Sequence, residues 1–538
     1  MAKIVILDTL SQDGLDLLKN AGIEYEVRTG LAGEELKKTL TEFDGAICRS
    51  GVKITADVLE GNTRLRAIAR AGVGTDNIDK AMATRLGIIV MNTPSGNTLS
   101  TAEQTLALMF ALVRHTAPAY QSLIEGRWDK KLYTGTQLAG KTLGIIGLGR
   151  IGQAIAKRAL AMEMKVIGFD PFMTEAKAKE LGITLYANYK DMLPYCDLLT
   201  VHTPLTDATR GMISDAEIAM LPKGARLINC ARGGIYDEAA LVRGLESGQL
   251  GGVALDVYPS EPCKQNPLFG MKNVVCTPHL GASTEEAQLS VAVEAAQLMV
   301  DFFKTGAIRS AVNTSPLDPK TLEDLRGYLN VAWRMGLFLG QMGTSAPVCL
   351  KLTYKGEVAK KNTALLTSAF AAGYMEKASD VGANIVNADI LLRERGIELI
   401  EERSTEVVNF NSTITAQLKT ETALYTIQGT LFGNDMPRLI QIDDSRMESY
   451  LDGNLIIFDY DNVPGMLGKL GTICGKHNAN IAQMCVGASR STGTQIGALS
   501  LDSVPTQELL EEIRAMEGVK YAKPVALPKV HELPVWLS

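Results

Sequence analysis

Residues 142–162 read TLGIIGLGRIGQAIAKRALAM, and the organisation of the whole chain follows from how this stretch folds. Thr142 to Ile146 form an apolar run of strand length. Gly147, Gly149 and Gly152 then fall in a GxGxxG spacing, and QAIAKRALAM (153–162) is made of helix-forming residues. Strand, glycine turn and helix in that order make a phosphate-binding turn. The first glycine permits the tight turn, the second lets backbone approach a pyrophosphate, and the third lets helix and strand pack closely. The helix N-terminus adds amide donors and the positive end of its dipole. Asp170 ends the next strand-like run, KVIGFD (165–170), 18 residues after Gly152. A carboxylate there accepts from ribose hydroxyls and repels a 2′-phosphate, so NAD is expected rather than NADP.

The alternation continues on both sides. Downstream, LLTVHTP (198–204), ARLINCAR (225–232), GGVALDVY (251–258) and NVVCTPH (273–279) read as strands separated by helical patterns. Upstream, KIVILD (3–8), EYEVRT (24–29), GAICR (45–49), Ala67–Arg70 and Ile88–Asn92 repeat the pattern. Strands alternating with helices mean βαβ units and parallel sheets. Residues 99–284, entered by a long helix at 99–115, are expected to form the nucleotide-binding domain. Residues 1–98 and 285–315 are expected to form a second lobe carrying substrate. A Pro-rich stretch at 315–319 marks a linker. Residues 318–450 mix helices such as 322–342 with alternating strands such as 348–356 and 412–421. Residues 453–527 follow the order βαββαβ of a ferredoxin-like module. The expected fold class is α/β: a two-lobed Rossmann-type core, then an α+β intervening domain and a small ferredoxin-like domain.

Composition agrees with several packed domains. The chain has 538 residues, 46% hydrophobic and 21% charged, which excludes a disordered polymer. A formal net charge of −6 argues against nucleic acid as a partner. The eight cysteines contain no CxxC pair and no zinc-like spacing, so reduced thiols and no metal are expected. No secretory leader or membrane-length apolar run is read, and the expected compartment is the cytoplasm.

Of five histidines, His202 and His279 fall at the carboxyl ends of strands, the edge where open α/β sheets bind ligands. His115 ends a helix, His477 lies in a turn and His531 in the tail. Arg232 follows one strand in CARGG (230–234), and Glu261 follows another in PSEP (259–262). A guanidinium can clamp a carboxylate, an imidazole can move a hydroxyl proton, and a carboxylate behind it can orient the ring.

The GLGRIG turn, CARGG, SEP and PHLGAST, in that order, resemble the D-isomer-specific 2-hydroxyacid dehydrogenase family over about residues 1–315. That resemblance implies hydride transfer with NAD, with Arg232, Glu261 and His279 catalytic. It implies NAD contacts at Val73, Gly147, Gly149, Arg150, Ile151, Gly152, Asp170, Thr203, Cys230, Ala231, Arg232, Asp256, His279, Gly281 and Ala282. The full layout resembles the family's long form, with an intervening domain and an ACT-like regulatory module. It implies a phosphorylated 2-hydroxy acid, 3-phospho-D-glycerate, as substrate, oxidised at the start of phosphorylated L-serine synthesis. Arg49, Lys53, Arg70 and Asn97, with Arg232, resemble the substrate loops. Trp128-Asp129-Lys130-Lys131 lies in the segment that reaches across a dimer in this family, so a homodimer or homotetramer is expected. Tyr460, Asn462 and Asn480 resemble effector-binding positions, which makes L-serine the implied inhibitor; some relatives carry histidine where this chain has Tyr460. Two other readings stand beside this one: a glyoxylate or hydroxypyruvate reductase, and a nucleotide-sensing binding protein without turnover.

Overall fold

The structure is a computed structural model, and it describes residues 2–314, 317–343, 345–376, 382–407, 410–488, 494–534, 536 and 537. Residues 315 and 316 of the expected linker lie outside them. Among the described residues no helix is long and apolar enough to cross a membrane.

Among the described residues four sheets follow one another. The first has five parallel strands in the spatial order Glu24–Val27, Lys3–Ile6, Gly45–Cys48, Ala67–Arg70, Ile89–Asn92. The second has seven, in the order Val274–Cys276, Leu250–Leu255, Ala225–Asn229, Leu198–Val201, Thr142–Ile146, Lys165–Phe169, Thr184–Leu185. Its order reverses between Thr142–Ile146 and Leu198–Val201. Crevices at such a reversal, beyond the carboxyl ends of the strands, are where open sheets bind ligands. Gly147 stands at that point.

The strands on this edge are shorter than their apolar runs suggest, ending at Val201, Asn229, Leu255 and Cys276. Polar side chains at the strand ends bind loop backbone and draw the chain out of the ladder. Asn229 donates through Nδ2 to the Arg232 carbonyl at 2.8 Å and accepts from Ala231 N at 2.9 Å. Asp256 does the same for the loop after Cys276 (below).

Helix Glu285–Thr305 returns to the first sheet, where Ala295, Ala296, Met299 and Phe302 share a core with Ile4, Ile6, Ile47 and Ala69. Gly14 of helix Gln12–Asn20 allows the contact: a Cβ there would stand 3.0 Å from the Ala292 carbonyl oxygen. Thr284 caps the returning helix by accepting from Ala287 N, and Gly306 closes it at φ 73°.

The third sheet is mixed, in the order Glu398–Ser404, Pro347–Gly356, Ser412–Thr420, Leu424–Phe432, Met436–Ile442, Ser445–Tyr450. Helices Pro319–Met342 and Thr363–Met375 pack together through reciprocal glycines. A Cβ on Gly336 would lie 2.0 Å from Phe370 O, and one on Gly373 would lie 2.0 Å from Trp333 O. The fourth sheet is antiparallel, in the order Ile481–Ala488, Thr494–Leu501, Asn454–Asp461, Val519–Ala526, with helices Met466–Lys476 and Gln507–Arg514. That is the ferredoxin-like arrangement.

The last two units share a core, which the linear reading of the sequence separates. Leu455, Ile457, Ile496 and Ala498 belong to one cluster with Leu329, Met335 and Ile442. The fully buried Arg334 joins them, donating to Asn330 Oδ1 and to the carbonyls of Leu451, Pro528 and Lys529.

Candidate active site

The three glycines of the nucleotide turn do three different things. Gly147 sits at φ 94°, and a Cβ there would stand 2.5 Å from the His202 carbonyl oxygen. Only glycine meets both conditions. A Cβ on Gly152 would lie 2.1 Å from Gly147 O, so helix and turn touch there. Gly149, the N-cap of helix Arg150–Ala161, faces open space, with nothing within 4 Å of its Cβ position. That opening suits a pyrophosphate at a helix N-terminus. Arg150 and Ile151 form its first turn. Thr203 stands beside Gly147, and its Oγ1 is enclosed without a partner. Asp170 accepts from Leu148 N and Phe172 N, each at 2.8 Å, so its carboxylate is held against the turn. Each oxygen keeps a lone pair for a ribose hydroxyl. These residues fit a dinucleotide.

His279 and Glu261, 18 residues apart in the chain, meet with Nδ1 and Oε2 at 2.6 Å. Loop geometry brings them together. His279 adopts φ 56°, in the left-handed region, and Glu261 Oε1 accepts from Tyr258 N at 3.0 Å. Burial acts to raise the Glu261 pKa. The bonds from His279 and Tyr258 N, with the charge of Arg232, outweigh it and hold the carboxyl below its ordinary value.

Asp256 is fully buried behind this pair. Its Oδ1 accepts from Thr277 Oγ1 at 2.6 Å and Leu280 N at 2.8 Å, and its Oδ2 from Gly281 N at 2.8 Å. Both oxygens therefore brace the loop carrying His279. Gly281 O accepts from Thr101 Oγ1 at 3.1 Å and Ala282 O from Gln288 Nε2 at 2.6 Å, which fixes the rest of that loop.

Arg232 reaches from the nucleotide side toward the first lobe. Its Nε lies 2.9 Å from Asp76 Oδ2, and its NH1 donates to Ala231 O at 2.7 Å. Its NH2 occupies the space a side chain at Gly74 would fill, 1.7 Å from that Cβ position. Gly233 lets the same loop touch its neighbour, since a Cβ there would lie 1.9 Å from the Tyr258 carbonyl carbon. Cys230 is buried and its thiol is pushed up to about 12 by burial, so it offers backbone here and no thiolate. Val73 precedes Gly74 in the other lobe, its carbonyl accepting from Asn92 Nδ2 at 2.5 Å.

Arg70 and Arg49 add positive charge near Arg232. The Arg70 guanidinium lies against Gly72, with NH1 1.6 Å from that glycine's Cβ position, and its Nε is enclosed without a partner. Burial above all, then Arg232 and Arg49 against the opposing Cys48 and Asp76, pushes its pKa down to about 10. It remains charged at neutral pH. Arg49 lines a cavity of about 170 Å³ with Thr9, Ser11, Ala71 and Gln288, and Ser11 Oγ is enclosed there without a partner. Asn97, the N-cap of helix Thr98–Arg114, also has an enclosed, unpartnered Oδ1. Lys53 stands exposed and does not line this cavity.

The two strand-end histidines separate clearly. His202 Nε2 is 2.9 Å from Thr200 Oγ1, its Nδ1 is enclosed, and burial pushes its pKa down to about 3. It is neutral and shut in, whereas the His279 side chain is 42% exposed. Sequence reasoning passes over Asp76, Asn229, Ser11 and Gln288. Asn229, a lone polar residue ending an apolar strand, carries the one readable signal.

In the fourth unit, Tyr460 is buried and donates to Gln495 Oε1 at 2.6 Å. Asn462 is exposed before helix Met466–Lys476, and Asn480 donates to Asp502 Oδ2 at 2.6 Å.

Comparison with known proteins fits this geometry. Residues 106–281 match the NAD binding domain of D-isomer specific 2-hydroxyacid dehydrogenases, and residues 324–443 match the D-3-phosphoglycerate dehydrogenase intervening domain. The chain is 38% identical over 520 residues to the D-3-phosphoglycerate dehydrogenase of Archaeoglobus fulgidus, covering 96% of this chain and 98% of that one. It is 37% identical over 528 residues to that of Bacillus subtilis, covering 98% and 100%. Among solved structures, a glyoxylate reductase from Paecilomyes thermophila aligns with TM-score 0.54 and 25% identity over 58% of this chain and 98% of its own. The NAD+-bound 3-phosphoglycerate dehydrogenase of Entamoeba histolytica aligns with TM-score 0.50 and 28% identity, over 58% and 99%. With the nucleotide turn, the intervening domain and nearly the full length of these relatives in place, the chain belongs to the D-3-phosphoglycerate dehydrogenase family in its long form.

Proposed function

We propose that this chain oxidises 3-phospho-D-glycerate to 3-phosphooxypyruvate with NAD, at the head of phosphorylated L-serine synthesis. The observation that carries the chemistry is the 2.6 Å contact between His279 Nδ1 and Glu261 Oε2, at the sheet edge that bears the nucleotide turn and Arg232. NAD, when bound, accepts the hydride that leaves C2 of the substrate. Arg232 holds the substrate carboxylate, with Asp76 and the bare backbone of Gly74 fixing the guanidinium. His279 takes the hydroxyl proton at Nε2, while Glu261 orients the ring through Nδ1 and stabilises the imidazolium that forms. In the reverse direction the same nitrogen protonates the ketone oxygen. Closure of the two lobes excludes water from the transfer.

Arg49 and Arg70, with Lys53 and Asn97, receive the phosphate. The positive cleft and the full-length relatives favour a phosphorylated acid over glyoxylate or hydroxypyruvate. A panel assay of NADH formation tests this. We expect 3-phospho-D-glycerate to exceed D-glycerate and glycolate in kcat/KM by at least tenfold. Equal rates would move the chain to the reductase reading, and no NADH from any acid would leave a nucleotide-binding protein.

Asn462, Asn480 and Tyr460 are the proposed L-serine contacts of the fourth unit. L-serine is expected to inhibit the enzyme, and Asn480→Ala to abolish inhibition while basal turnover is kept. Full wild-type activity at millimolar serine would remove the effector from the account.

A homodimer or homotetramer is supported by large apolar side chains laid bare on one segment: Tyr120, Leu123, Ile124, Trp128 and Leu132. Patches of this kind mark association surfaces. Trp128→Glu is expected to shift the protein to a smaller species in sedimentation velocity, and an unchanged sedimentation coefficient would count against this segment.

A further inference from the structure

We propose that a second anion site lies at the opposite edge of the nucleotide-binding sheet, where Arg226, Lys141, Lys223 and Thr136 frame a cavity that takes a tetrahedral oxyanion of the phosphate class. The cavity has a volume of about 180 Å³. A water molecule's share of liquid volume is about 30 Å³, so a phosphate-sized ion has ample room.

Its position separates it from the cleft described above. It is built from residues that precede or begin three neighbouring strands: Lys141 before Thr142–Ile146, Asp197 before Leu198–Val201, and Lys223 to Arg226 at Ala225–Asn229. The nucleotide turn, Arg232 and His279 belong to the carboxyl ends of strands of the same sheet. At about 3.3 Å per residue, a five-residue strand puts roughly 15 Å between the two edges.

Arg226 makes the case for a ligand. It is half-buried, its NH2 donates to Thr136 Oγ1 at 3.2 Å, and its Nε is enclosed without a partner. A guanidinium has five donors in a fork that matches an oxyanion. Beyond its contact with Thr136, the guanidinium that lines this cavity keeps donors for an oxyanion. Lys141 and Lys223 line the same cavity, against one carboxylate, Asp197. Asp197 offsets part of this charge: its Oδ2 accepts from Thr142 N at 2.9 Å, and its Oδ1 lies 3.8 Å from Lys141 Nζ. Three cations against one anion leave the cavity positive. The neighbouring His115 agrees, its pKa lowered by burial and then by the charges of Arg226 and Lys272.

The cavity wall carries Thr136, Gln137 and Leu138, the stretch joining the exposed segment around Trp128 to the strand at Thr142. An anion held between Arg226 and this stretch fastens the root of that segment to the sheet.

Calorimetric titration of the full-length protein with inorganic phosphate, at ionic strength fixed with chloride, tests the site. We expect Arg226→Gln to weaken phosphate binding at least tenfold and Lys223→Gln to weaken it several-fold. The same titration of Arg70→Gln, a change in the other cleft, should still show this site. Lys223 is exposed, so its variant reads the site even where Arg226→Gln fails to fold. Glycerol 3-phosphate distinguishes the sources. Binding of both probes assigns a phosphate ester as an admitted ligand, and binding of inorganic phosphate alone assigns the free ion. Unchanged phosphate binding in both Arg226→Gln and Lys223→Gln, or its complete loss in Arg70→Gln, overturns the proposal.

Discussion

Replacing His279 by alanine is expected to lower kcat by about 100- to 10,000-fold, the usual contribution of a positioned acid–base group. NADH affinity should stay within about twofold, because the turn that would hold the nucleotide depends on other residues. Gly147, Gly152 and Asp170 are held by contacts among themselves and with His202 O, Leu148 and Phe172. The loop bearing position 279 is also braced independently of its side chain, by Asp256 on Leu280 N and Gly281 N. Turnover and nucleotide binding should therefore separate in this variant. Steady-state rates beside NADH fluorescence titration measure both. Retained turnover would take the proton-transfer role away from His279, and lost NADH binding would make it a structural residue of the nucleotide site.

Gly74→Ala is expected to lower kcat/KM for 3-phospho-D-glycerate on the order of 10- to 100-fold, the weight of about one charge-assisted hydrogen-bonded contact. The added methyl would stand 1.7 Å from Arg232 NH2 and 2.7 Å from its central carbon. The guanidinium must move off Asp76, and the carboxylate clamp moves with it. Gly74 has no left-handed backbone to lose, so the fold should persist. Thermal unfolding close to wild type, with the loss confined to catalysis, is the predicted signature. Arg232→Lys should behave similarly, since an ammonium cannot reproduce the fork. Wild-type kinetics in Gly74→Ala would show that the observed Arg232 pose is not the working one.

A feature is legible in the sequence when its cause is local. The glycine turn was legible because each of its three glycines answers a constraint within the motif. His202 and His279 were indistinguishable in the chain, since both follow apolar strands. What separates them is the Thr200 hydroxyl and the enclosure around one ring, and neither has a sequence pattern. Asp76 was invisible because its partner Arg232 is 156 residues away. The runs legible in the sequence overshoot the strands at one edge, because Asn229 and Asp256 pull the loops away. The joint core of the last two units went unread for a related reason. Arg334 looks like one polar residue on a long helix until its carbonyl partners near residues 451 and 528 are seen.

The most direct test of the central claim is a crystal structure of the enzyme with NAD+ and 3-phosphooxypyruvate, a pair that cannot react because both are oxidised. The account predicts the ketone oxygen within about 3.2 Å of His279 Nε2, the carboxylate on Arg232, the phosphate toward Arg49 and Arg70, and the nicotinamide against C2. A ketone oxygen beyond reach of His279, or a carboxylate bound away from Arg232, would contradict it.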